Sequence, residues 1–112
     1  MPAQTPLGDV LSSLFGVIER RKGASPEDSY TSSLLAAGAE RCAKKFGEEA
    51  VEAALAGAVG DKARLTEEAA DVLYHLLVLM ASSGVLPKDV AKVLAAREGQ
   101  SGHAEKASRK PF

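Results

Sequence analysis

Apolar residues recur at steps of three and four from the start of the chain. Leu7, Val10, Leu11, Leu14, Phe15 and Ile18 form one stripe on a helix of 3.6-residue period. Arg20-Arg21-Lys22-Gly23 predicts its end, with three cations where the helix dipole is negative and then a glycine stop. Ser25-Pro26-Glu27-Asp28 has the composition of a helix start: a cap, a first-turn proline and two acids. The hydroxyl-rich run Ser29-Tyr30-Thr31-Ser32-Ser33 is weakly helical by propensity and reads either as a connector or as a substrate loop. A short helix over about 33–37 is expected behind it, stopped by Gly38.

A long helix over about 40–56 follows, with Gly47 inside it, where a missing side chain would permit close backbone approach. Gly57, Gly60 and Asp61 punctuate the next turn, and Asp61 is a good cap for a second long helix over about 62–82. The second half of that helix, 72–81, is apolar nearly all round and must be covered on several sides. Gly84 breaks it, Pro87 opens a last helix carrying Val90, Val93 and Leu94, and Gly99 ends that one. No strand pattern, repeat or linker interrupts the series. The pattern predicts an all-α antiparallel bundle of about five helices over 1–98, with a polar, basic tail over 99–112. So few helices cannot surround the 72–81 segment and the Leu7–Ile18 stripe, which predicts completion by homodimerisation or a larger homo-oligomer.

Composition sharpens this. Twenty of 112 residues are alanine and only 4% are aromatic, which suits helix packing better than a sheet. Fourteen Lys and Arg against 15 Asp and Glu give a net charge of −1, so no generic nucleic-acid binding is expected. The single cysteine, Cys42, excludes an internal disulfide and is expected to be buried filler. No run approaches the length of about 20 apolar residues that a membrane span needs, and the N-terminus lacks a signal peptide's basic start and apolar stretch. A soluble, cytoplasmic protein is the expectation.

The acids carry the chemistry. Seven lie between Glu48 and Asp71 against two cations, Lys62 and Arg64. Glu49 and Glu52 share a face of the first long helix, and Glu68 and Asp71 share a face of the second, each pair three residues apart. If the helices fold back about Gly60, Glu49 opposes Asp71 and Glu52 opposes Glu68, so that four carboxylates meet in two rungs. Like charges so close repel unless a cation sits among them. An oxygen-only set suits magnesium, which keeps waters and bridges carboxylates to phosphates. A di-iron centre fits less well because it wants Glu-x-x-His on two helices. Against both stands a plain solvated acidic face. Arg41, Lys44 and Lys45 lie on successive turns before these acids, either as phosphate-gripping cations or as i,i+4 partners of Glu48 and Glu49. His75, beside an apolar run, reads as a hydrogen-bonded core histidine, and by equal spacing from Gly60 it opposes Lys45.

The pattern Glu49-x-x-Glu52, fifteen residues, Glu68-x-x-Asp71 resembles the motif of the all-α nucleoside triphosphate pyrophosphohydrolases, the MazG-like superfamily. With Ser29-Tyr30-Thr31, Lys44-Lys45-Phe46-Gly47-Glu48-Glu49-Ala50, Asp71-Val72-Leu73-Tyr74-His75 and Glu105-Lys106-Ala107-Ser108-Arg109, the chain resembles one branch, the phosphoribosyl-ATP pyrophosphatase family of histidine biosynthesis. The resemblance runs from about Leu7 to Arg109. The sequence carries no cyclohydrolase domain of the kind fused to this enzyme in some organisms, so the free-standing form is the expectation. The resemblance further implies magnesium held by Glu49, Glu52, Glu68 and Asp71, Glu48 positioning or deprotonating the attacking water, and phosphoribosyl-ATP as the small-molecule substrate. Tyr30, Thr31, Arg41, Lys44, Lys45 and Arg109 are the substrate-binding candidates, and a dimer is implied again. A house-cleaning pyrophosphatase for noncanonical nucleotides and a non-enzymatic helical interaction module are the rival readings.

Overall fold

In the computed structural model, which describes residues 5–99, five helices follow one another: α1 (Leu7–Arg20), α2 (Tyr30–Ala37), α3 (Ala39–Ala58), α4 (Lys62–Ser83) and α5 (Pro87–Arg97). Among the described residues there is no strand. The backbone of the fold is the α3–α4 hairpin, with α1 laid against α4 and α2 wedged on both long helices. Phe15 and Ile18 of α1, Leu34 of α2, Cys42 of α3 and Leu77, Val78, Met80 and Ala81 of α4 close the core.

Local chemistry explains the boundaries. The α3–α4 turn is short because Gly60 takes a left-handed φ of 75°. Asp61 then accepts the Arg64 N–H at 3.0 Å and supplies one of the bonds that a helix start lacks. Gly84 ends α4 in the same left-handed region. Lys22 lies beyond the end of α1 and pairs with Glu19 at 3.2 Å. The free thiol of Cys42 is buried and donates to the Leu34 carbonyl at 3.3 Å, as expected of filler.

Two expectations are corrected. No helix begins at Ser25-Pro26; the cap is Ser29, whose hydroxyl accepts the Ser32 N–H, and α2 starts at Tyr30. The hydroxyl-rich run is therefore cap and first turn, because serine is poor inside a helix but strong at its start. Gly47 makes no close backbone approach, for a Cβ placed there meets no atom within 4 Å. Helical phase is the reason: at 100° per residue Gly47 lies about 140° round α3 from the buried Cys42.

The last helix turns away from α4 at 113° and none of its residues is buried. Among the described residues no single helix is both long and apolar enough to cross a membrane. A cavity of about 450 Å³ opens between α1, α4 and α5, walled by Leu11, Leu73, Leu76, Met80, Val90 and Leu94 among others.

Candidate active site

The hairpin brings acids of both long helices together. One carboxylate oxygen each from Glu49, Glu68 and Asp71 lies within 4.8 Å of the other two. Glu52 is exposed and outside this trio, but its carboxyl stands against that of Glu68. Burial, first, and then the contact with Glu52 and the charges of Glu52, Glu49 and Asp71 hold the Glu68 carboxyl above the ordinary glutamate range. Two ionised carboxylates only accept hydrogen bonds, so Glu52 and Glu68 can bond only when one of them keeps a proton. The Glu68 Oε2 atom is shut off from solvent with no hydrogen-bond partner among the described residues. An orphaned acceptor costs free energy unless a cation or a proton satisfies it. A buried orphan oxygen beside two further carboxylates is therefore a donor set that fits a hard divalent cation.

Lys45 lies one turn before these acids. Its Nζ is 3.5 Å from Glu48 and 3.9 Å from Glu49, so it pairs with neighbours on its own helix. It does not pair with His75, which is engaged elsewhere. Arg41 and Lys44 are exposed and form no ion pair among the described residues. Glu48 reaches solvent with about half its side chain (48%) while held by Lys45.

The other wall is aromatic. Tyr30 and Thr31 open α2, and each ties to α4: the Tyr30 hydroxyl to His75 Nε2 at 3.2 Å, and the Thr31 hydroxyl to that of Tyr74. Burial pushes the Tyr74 phenol above its usual range, and the bond to Thr31 opposes that. His75 is a hydrogen-bonded core residue, as its apolar neighbours suggested. The ties of α2 to Tyr74 and His75 escaped the sequence reading. Ser29, three residues ahead of Ser32, was the cap pattern that could have placed Tyr30 and Thr31 on a helix. Arg109 lies outside the described residues.

The described residues thus form an all-helical domain whose central hairpin gathers carboxylates in a set able to hold a divalent cation. Residues 11–98 match the family described as phosphoribosyl-ATP pyrophosphohydrolase. The chain is 59% identical over 100 residues to a phosphoribosyl-ATP pyrophosphatase of Cereibacter sphaeroides (strain ATCC 17029 / ATH 2.4.9), covering 89% of this chain and 97% of that one. It is 55% identical to the enzyme of that name from Ruegeria pomeroyi, covering 89% and 95% of the two chains. The corresponding figures for Paracoccus denitrificans are 57% identity, 89% and 93%. The chain belongs to the phosphoribosyl-ATP pyrophosphohydrolase family.

Proposed function

We propose that this protein hydrolyses phosphoribosyl-ATP to phosphoribosyl-AMP and pyrophosphate, the second step of histidine biosynthesis, using magnesium. The observation that carries this reading is the facing acids of α3 and α4 in a chain of this family. Glu49, Glu68 and Asp71, with Glu52 completing the second rung, would hold the ion, and the buried orphan oxygen of Glu68 is the feature that fits it best. When bound, magnesium offsets the charge of the triphosphate and makes a neighbouring water more acidic.

The remaining work falls to side chains. Glu48, exposed at the edge of the acids, orients or deprotonates the attacking water. Water adds at a phosphorus, the α–β anhydride bridge breaks, and pyrophosphate leaves. Lys45, Lys44 and Arg41 share one flank of α3 and engage phosphate oxygens that the metal leaves free. Tyr30 and Thr31 contact the nucleotide from the other wall, joined by Arg109 of the tail.

The working unit is a homodimer. Leu94 (59% exposed) and Val90 (39%) wall the apolar groove yet stay open to solvent, Leu7 (61%) and Val93 (48%) of α1 and α5 are exposed as well, and α5 contributes nothing to its own chain's core. A second copy, offering the same α1 and α5 faces about a two-fold axis, covers them without adding any other protein.

Pyrophosphate release from phosphoribosyl-ATP, compared with ATP and other nucleoside triphosphates and measured with and without magnesium, tests the activity. Phosphoribosyl-ATP should be preferred and the reaction should need the metal. Glu52→Gln and Asp71→Asn should abolish it and keep the helical circular dichroism. Near-wild-type turnover in either variant sinks the metal assignment, and faster hydrolysis of other nucleotides sinks the substrate.

A further inference from the structure

Between the acids and α2 runs a polar chain whose central member, His75, has no part in the roles above. His75 is 6% exposed. Its Nδ1 is 2.7 Å from the backbone oxygen of Asp71, and its Nε2 is 3.2 Å from the Tyr30 hydroxyl. A carbonyl oxygen only accepts, so Nδ1 carries the hydrogen. In the neutral ring Nε2 is then the acceptor, and the Tyr30 hydroxyl is the donor. The imidazole thus links a residue of the acid site, through its main chain, to the first residue of α2.

Tyr30 is anchored at its tip and open elsewhere. Half of the residue (51%) is exposed, although its hydroxyl is bound. Its ring meets the edge of His75 with centroids 5.9 Å apart and planes at 76°, and stacks near Tyr74 at 6.3 Å and 26°. Thr31 adds the second tie between the helices through Tyr74. A solvent-facing aromatic ring held at several points has lost most of its rotamer freedom before any ligand arrives, which is what an aromatic binding surface requires.

The geometry points to His75 as a positioning residue, which fixes the Tyr30 ring as a stacking face for the purine of the nucleotide, near Asp71. This rests on the reading of the substrate as a nucleotide. His75 itself touches no reacting atom. Its effect passes through the hydroxyl of Tyr30, so it belongs in KM and not in the chemical step.

Three variants test it: Tyr30→Phe removes the donor, His75→Leu removes the acceptor, and His75→Gln keeps an acceptor near the place of Nε2. Tyr30→Phe and His75→Leu should each raise KM for phosphoribosyl-ATP about five- to tenfold, the effect of one hydrogen bond, with kcat within about twofold of wild type. The double variant should be no worse than His75→Leu alone, and His75→Gln should recover most of the loss. Independent effects that multiply, or an unchanged KM in Tyr30→Phe, overturn the role. Should His75→Leu fail to fold, Tyr30→Phe and nitrogen NMR of the two-histidine protein still decide. The His75 ring should show the Nδ1–H tautomer, and its Nε2 resonance should move in Tyr30→Phe while that of His103 stays; the opposite tautomer refutes the inference. Wild-type turnover in the same assay checks the substrate reading separately, because a protein inactive on phosphoribosyl-ATP fails that reading whatever the NMR shows.

Discussion

Replacing Gly47 by alanine should stabilise the protein. The position lies inside α3, its φ is not positive, and an added Cβ would meet no atom within 4 Å. No clash then offsets the ordinary helix-propensity gain of about 1 kcal/mol, which arises mainly because alanine restricts the unfolded chain more than glycine does. For a domain of this size that gain raises Tm by roughly 4–6 °C. Thermal unfolding followed at 222 nm measures it, at one fixed protein concentration, since a concentration-dependent assembly would shift Tm by itself. Activity should stay near wild type. At 100° per residue Glu49 and Lys45 lie about 160° round the helix from Gly47, and although Lys44 and Glu48 are nearer, a methyl group at position 47 removes neither of their charges. A fall in Tm would refute the reasoning, because it would mean that some atom, from a second chain or elsewhere, occupies the space read as open.

Two further predictions follow from the acids and the groove. Because the Glu68 carboxyl sits above the ordinary range, the unfolded chain releases this proton at lower pH than the folded one. Metal-free stability should therefore be highest in acid as far as this group is concerned, fall as pH rises from the ordinary glutamate value through the raised one, and stay lower beyond. Tm against pH in a chelator should show that descent, and Glu68→Gln should flatten it; an identical slope in the variant refutes the assignment. Leu94→Asp, at an exposed position of α5, should convert a dimer to a monomer in sedimentation at low micromolar concentration, whereas an active 11.6 kDa monomer in the unaltered protein contradicts the assembly.

How much was legible depends on the range over which each residue acts. The five helices follow from local rules: apolar steps of three and four, Asp61 as a cap, Gly60 and Gly84 in left-handed turns. The opposition of the acids was legible because a hairpin about one short turn converts distance along the chain into height in the bundle. It foresaw Glu49 near Asp71 and Glu52 near Glu68. It could not foresee that Glu52 stays exposed while Glu68 turns one oxygen inward, since that is settled by side-chain rotamers. Proline and two acids at 26–28 imitate a helix start, whereas the hydroxyl of Ser29 supplies the actual cap of α2. That cap sets the phase in which Tyr30 and Thr31 leave the helix on the side facing Tyr74 and His75. Those contacts join positions more than forty residues apart, and no local pattern carries them.

The same side chains also explain how so acidic a hairpin folds before any cation arrives. Charge is compensated in two ways. Lys45, with a quarter of its side chain exposed, spreads one positive charge over Glu48 and Glu49. On the facing helix, a proton is retained more readily by Glu68, which burial and three neighbouring carboxylates disfavour as an ion. Neither device is permanent. Partly exposed ion pairs contribute at most about 1 kcal/mol and exchange partners easily, and a proton favoured by burial and by neighbouring carboxylates is held less firmly once a positive charge lies among them. On the proposed reading, a metal held by Glu49 and Glu68 would take over part of this compensation, loosening the proton of Glu68 and the longer of the two Lys45 pairs. The acids are tolerated in the folded chain because the Lys45 ammonium and a proton kept more readily on Glu68 offset part of their charge.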